Sequence, residues 1–198
     1  ERAPRAGGPQ NARRNPGPPD LAADRVPRPP PAMLAAMVAA EVGDDVLGDD
    51  PTVIRLQERS AQLLGKPAAL YVPSGSMANQ LAIRSVCEPG DELILDVTTH
   101  CYNYETGGPA ALSGVSLRFI QGDRGIFDGP DVASCVRPDS PHFANSRLVI
   151  VENTNNRGGG SVWPVEKLER VRRAAREHGL RVRSEEHTSE LQSRVDIS

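Results

Sequence analysis

The sequence predicts an α/β fold of three layers, with helices on both faces of a mostly parallel sheet. Three observations carry that expectation. Helix-like and strand-like patterns alternate between residues 32 and 182, as a layered α/β fold requires. The candidate strands Glu92–Asp96 (ELILD), Ser116–Gln121 (SLRFIQ) and Leu148–Val151 (LVIV) are short and mostly apolar, which suits parallel strands buried on both faces. A β-rich run at Ala68–Val72 leads directly into a Ser-Gly-Ser turn and a helix-compatible segment.

Taken in order, residues 1–28 contribute no element. Half of the chain's 18 prolines lie within residues 1–31, and ERAPRAGGPQNARRNPGPPD has no apolar periodicity, so this segment is expected to be disordered. Asp50-Pro51 reads as an N-cap followed by proline at the first helical position. Val53, Leu56, Leu63 and Leu64 then form an apolar face before Gly65 stops the helix. Ala68–Val72 is the first expected strand and Ser76–Cys87 the next helix. Pro164 opens a last helix, VEKLERVRRAAREH, which Gly179 closes before Leu180-Arg181-Val182 begins another strand.

Composition narrows the function classes. The net charge is −3, and Arg2, Arg5, Arg13, Arg14, Arg25 and Arg28 are scattered, which argues against nucleic acid as a partner. Cys87, Cys101 and Cys135 form no CxxC pair, which argues against both a disulfide framework and a zinc site. No apolar run reaches membrane-spanning length, so a soluble, cytoplasmic chain without a membrane partner is expected. Glu1 in place of methionine reads as an incomplete start.

The segment Ala68–Asn79 (AALYVPSGSMAN) has the makings of an anion site. A helix N-terminus presents unpaired N–H groups, and glycine lets a phosphate approach the backbone closely. Taken alone, Pro-Ser-Gly-Ser is equally an ordinary turn with a serine cap. Gly43-Asp44-Asp45 and Gly48-Asp49-Asp50 invite a metal reading, but a helix cap and turn formers account for them better, and no metal is expected.

Four blocks resemble one family in order and spacing: Pro29–Val53 (PPPAMLAAMVAAEVGDDVLGDDPTV), Tyr71–Asn79 (YVPSGSMAN), His100–Gly108 (HCYNYETGG) and Glu152–Pro164 (ENTNNRGGGSVWP). They look like the threonine aldolases, within the fold type I class of pyridoxal-phosphate enzymes, over residues 20 to 182. The resemblance implies that residues 29–182 are part of the cofactor-binding large domain. It implies a lyase that cleaves a β-hydroxy-α-amino acid, threonine or allo-threonine, to glycine and an aldehyde, with pyridoxal 5'-phosphate as electron sink. By the same resemblance Gly75, Ser76 and the backbone of Met77 grip the cofactor phosphate, and His100 stacks on its ring. Family members are homo-oligomers, dimers or tetramers.

The departures are as informative. Asn155 stands where the family carries a histidine near the substrate hydroxyl, and an amide cannot act as a base. Ala23 stands where a carboxylate-binding serine belongs. The chain has only Lys66 and Lys167, and neither has the context of the family's Schiff-base lysine. Glu105 reads as a first-turn helix acid. Residues 183–198, beginning RSEEHTSELQS, resemble a translated sequencing adapter, so the natural sequence is expected to end at about Val182. The chain itself is therefore expected to be inactive. The alternative is a non-catalytic paralogue that keeps the phosphate and cofactor cradle.

Overall fold

The structure is a computed structural model that describes residues 29–185. The expectations placed on residues 1–28 and 186–198 lie outside the described residues. The chain divides into two compact units, at residues 1–52 and 53–198.

In the first unit, α1 (Pro31–Ala39) begins on a run of prolines whose φ is already helical. Its Met33, Leu34, Met37 and Val38 are all exposed. The two Gly-Asp-Asp repeats form a turn in which carboxylates accept backbone N–H groups. Asp44 Oδ1 accepts from Val46, Asp49 Oδ1 from Asp44, and Asp50 Oδ2 from Gly43. Asp50 Oδ1 also accepts the Thr52 N–H at 2.9 Å, so it caps α2 (Pro51–Leu64) as expected. Of that helix only Ala61 is buried, and Leu56 and Leu63 are exposed.

The second unit is built on a four-stranded parallel sheet: β1 (Glu92–Asp96), β2 (Ser116–Ile120), β3 (Ser146–Glu152) and β4 (Arg181–Glu185), in the order β2-β1-β3-β4. Alternation along the strands divides the core in two. Leu93, Leu95, Leu148 and Ile150 pack with Ile83, Cys87, Cys101 and Val115 on one face. That face is covered by α3 (Gly75–Val86), the short α4 (His100–Asn103) and α5 (Gly108–Ser113). Ile94, Val149 and Val151 pack with Phe127, Val132, Trp163 and Val171 on the other face, under α6 (Gly129–Cys135) and α7 (Val165–Glu177). Phe127 and Trp163 meet edge-to-face at 4.8 Å.

β1 has the expected limits, β2 ends at Ile120, and β3 is longer than expected. One expectation needs correction. Ala68–Val72 is not a strand. No described strand flanks it, and the Tyr71 N–H is satisfied by Gln57 Oε1 instead. β4 runs past Val182 to Glu185, pairing Arg183, Ser184 and Glu185 with Ile150, Val151 and Glu152. Every residue of β1 is buried, whereas β2, at the sheet edge, exposes Phe119.

The helix α6 was unanticipated, although Asp128-Gly-Pro-Asp131 carries its signature. Asp128 and Asp131 form a capping box. Asp128 also takes a forked pair from Arg170 on α7, at 2.7 and 2.6 Å, and this hydrogen bonding pulls its carboxyl down to about 2. A depressed carboxylate stabilises the fold above its unfolded value near 4 and loses that contribution as pH falls toward 2. Asp128→Ala is expected to cost about 1 kcal/mol at neutral pH. Urea unfolding at pH 6 and pH 2.5 checks this, and the wild-type advantage should shrink at the lower pH.

Candidate functional site

The strand order places a topological switch point between β1 and β3. The chain leaves β1 for β2 on one side and reaches β4 from β3 on the other, so the connections diverge above the carboxyl ends of the two middle strands. Ligands of open parallel sheets bind in such crevices. Here a carboxylate spans the crevice. Glu152, the last residue of β3, accepts the His100 N–H at 2.7 Å through Oε2 and the Asn156 N–H at 2.9 Å through Oε1. The Trp163 indole donates to the Glu152 carbonyl at 3.0 Å, and Asn153 Oδ1 accepts the Trp163 N–H. The core thereby fixes the end of β3.

His100 heads α4 just beyond β1. Its Nδ1 lies 3.2 Å from Glu105 Oε1 and 3.5 Å from Glu185 Oε1. Both carboxylates are buried. Asn79 of α3 donates through Nδ2 to both, at 2.6 Å each, and Gln80 Nε2 donates to Glu105 Oε2 at 2.6 Å. Gly108 is needed for this arrangement, because a Cβ there would meet the Gln80 amide at 2.8 Å. Glu185 Oε2 and Gln80 Oε1 are buried without a hydrogen-bond partner. Burial raises the pKa of the Glu185 carboxyl, the Asn79 hydrogen bond opposes that, and Glu152 adds to it. Glu105 is therefore a buried member of the site, not the first-turn helix acid expected from its position.

Gly75, Ser76 and Met77 form the exposed first turn of α3. Ser74 caps it, its Oγ accepting the Met77 N–H at 3.1 Å. The space around the Gly75 Cα is open. Ser76 lies one helical turn before Asn79 and Gln80, so one helix carries both the exposed terminus at Gly75, Ser76 and Met77 and the amides that hold the carboxylates.

Asn155 sits elsewhere. It is 0 % exposed, and its Oδ1 accepts the Gly158 N–H at 2.6 Å and the Thr98 hydroxyl at 3.3 Å. Gly125 closes over it, since a Cβ at that glycine would lie 2.4 Å from the amide. Its visible work is to clasp the loops that follow β1, β2 and β3. Neither lysine joins the His100 cluster. Lys66 lines a groove of about 920 Å3 with Arg147 and Arg181, near the amino ends of β3 and β4, and Lys167 lies on α7. Burial, reinforced by Glu185 and Glu105, raises the pKa of the Cys101 thiol well above its ordinary value, so it is held protonated and is no nucleophile.

The comparisons agree with this architecture. The family model described as Beta-eliminating lyase matches residues 20–184. The low specificity L-threonine aldolase of Escherichia coli strain K12 is 44 % identical over 162 residues, which is 81 % of this chain and 48 % of that protein. Among solved structures, a Leishmania major threonine aldolase superposes with a TM-score of 0.66 at 22 % identity, covering 77 % of this chain and 44 % of that one. A Sphingomonas wittichii serine palmitoyltransferase gives 0.57 at 19 %, covering 76 % and 35 %. The mostly parallel four-stranded sheet with its helices matches the fold of these fold type I neighbours over part of their length. The chain belongs to the beta-eliminating lyase family, and it spans about half the length of the curated relatives it matches.

The enclosure of Asn155 sets a stability test. Asn155→Ala leaves the buried Gly158 N–H without its acceptor and is expected to cost about 1–3 kcal/mol. Asn155→His, which sets a larger ring into the same enclosure, meets Gly125 and should cost at least as much. Urea denaturation reads both, and an unchanged midpoint in either would contradict the clasp.

Proposed function

We propose that this chain is the cofactor-cradling half of a threonine aldolase, and that the complete polypeptide cleaves β-hydroxy-α-amino acids to glycine and an aldehyde. One observation carries the reading: His100 is held against two buried carboxylates at the switch point, and those carboxylates are held by Asn79 and Gln80, one helical turn into α3. A fold neighbour described as SPT with PLP and the threonine aldolase relatives support it.

The donor set fits pyridoxal phosphate in part. The first-turn N–H groups of Gly75 and Ser76 and the Ser76 hydroxyl would take the phosphate. Met77 would contribute its N–H only by giving up Ser74 Oγ. The His100 imidazole would face the ring, and the unpartnered Glu185 Oε2 offers an acceptor for a protonated ring nitrogen. When bound, the cofactor supplies an electron sink for the pair released as Cα–Cβ breaks. The chain's own task is to orient and exclude water: Glu152 fixes the His100 backbone, while Asn79 and Gln80 hold the carboxylates apart. The described cluster offers no amine for covalent attachment, so the chain holds the cofactor non-covalently and does not turn over threonine. Asn155, in the position of the family histidine, takes no proton.

A second copy of the chain is the natural cover for the exposed apolar run of Met37, Val38, Val46 and Leu47. This supports a homo-oligomeric complete protein.

Titration of pyridoxal phosphate, followed by its absorbance, should show saturable binding that inorganic phosphate competes away. His100→Ala should weaken binding about 2–10-fold, the worth of one ring contact. Borohydride reduction and mass spectrometry should find no pyridoxyl group on the chain. Glycine release from threonine above a no-protein control, or a covalent adduct on Lys66 or Lys167, would overturn the assignment.

A further inference from the structure

At the opposite end of the sheet from the His100 crevice, a groove gathers positive charge. It encloses about 920 Å3 beside the amino ends of β3 and β4, and Lys66, Arg147, Arg172, Arg176 and Arg181 line it. Among the described residues no carboxylate lines it. The whole chain carries a net charge of −3, so this gathering of cations runs against its composition.

Three of the cations have separate structural reasons to be there. Arg147 Nε lies 3.3 Å from Asp91 Oδ2. Arg176 stands in the last turn of α7, where the helix dipole favours a cation. Arg181 begins β4, the outer strand of the described sheet, and charge on an edge strand discourages pairing with other chains. Arg172 has no such reason. Its Nε is buried without a hydrogen-bond partner, and a buried guanidinium N–H is costly unless something accepts from it. Arg172 also precedes Arg176 by four residues on one helix face, where like charges repel. Among the described residues Arg172, Arg176 and Arg181 form no ion pair. An anion in the groove answers both deficits, because it accepts from the buried Nε and sets negative charge between the two guanidiniums.

The lining also selects the kind of anion. Four of the five cations are arginine, whose planar fork binds phosphate oxygens in pairs, whereas lysine acts as a point charge. Leu64, Val86, Leu148 and Leu180 supply apolar wall, and the volume lies within the roughly 300–1,000 Å3 of small-molecule sites. We propose that Lys66, Arg147, Arg172, Arg176 and Arg181 form a binding site for a small organic molecule that carries a diphosphate or a comparably charged phosphate group. The phosphates lie on the guanidiniums and the organic part on the apolar wall. All five cations precede residue 183, and none belongs to the His100 cluster.

The test uses the full 198-residue chain with pyrophosphate alone, in chloride buffer. Because no cofactor is added, the result is independent of the cofactor reading. Isothermal titration is expected to show saturable binding that Arg172→Ala and Arg181→Ala each weaken about tenfold or more, the worth of one charged hydrogen bond. Far-ultraviolet circular dichroism confirms that the variants fold. Arg172→Lys keeps the charge and loses the fork, so it should recover only part of the loss. Should the Arg172 variants unfold, Arg181→Ala decides, since that side chain is exposed at the strand edge. ADP is expected to displace pyrophosphate, and a groove that takes pyrophosphate but refuses ADP overturns the organic-phosphate assignment. Absence of saturable binding overturns the site itself. So does binding that both alanine variants leave unchanged, which belongs to the α3 terminus or to scattered cations.

Discussion

The constraint on which the rest depends is the carboxylate of Glu152 at the end of β3. It stands at the one place where the sheet's connections diverge, and its two oxygens hold the backbone of the loop after β1 and the loop after β3. A buried carboxylate is tolerated only when its oxygens are hydrogen-bonded or paired with opposite charge. It therefore draws both loops inward and sets His100 over the crevice. The T-shaped Phe127–Trp163 pair secures the base of this arrangement, because the Trp163 indole donates to the Glu152 carbonyl. Core packing and site geometry are thus joined through a single residue.

Legibility in the sequence followed the range of the interaction. β1 was readable to the residue because ELILD is buried along its whole length, and the caps at Asp50 and Ser74 were readable because each acts within a few residues. Ala68–Val72 misled because β-propensity describes a fit to neighbouring strands, and no described strand flanks that segment. The capping box at Asp128 and Asp131 is equally local, its two partners three residues apart. The site was another matter. Gly75, Ser76, Met77 and His100 came from block resemblance, whereas Asn79, Gln80, Glu105, Glu152 and Glu185 did not emerge. Their contacts bridge 25, 26, 52 and 106 residues of chain, and no local periodicity encodes such pairings.

Position 155 shows how a family motif and its local packing can part. The block resemblance implies chemistry at the substrate hydroxyl for that position. In this chain the side chain is turned into the protein, where Gly125, Gly158 and Thr98 enclose it. A glycine without a side chain, an amide of matching size and a backbone N–H at 2.6 Å form a tight local unit. Exchanging one member alone breaks it. That coupling explains why asparagine here cannot be read as a simple loss of a base.

The acidic cluster also links ligand binding to folding. Burying Glu105, Glu152 and Glu185 together is unfavourable while one guanidinium is the main compensating charge, and the unpartnered Glu185 Oε2 shows where the deficit lies. A cationic group paired with these carboxylates in the folded state would remove part of that cost, with no counterpart in the unfolded chain. A ligand at a hundred times its dissociation constant adds about 2.7 kcal/mol, a large fraction of the 5–15 kcal/mol typical of a domain. A ligand that pairs with these carboxylates only in the folded state would therefore raise the stability of the fold.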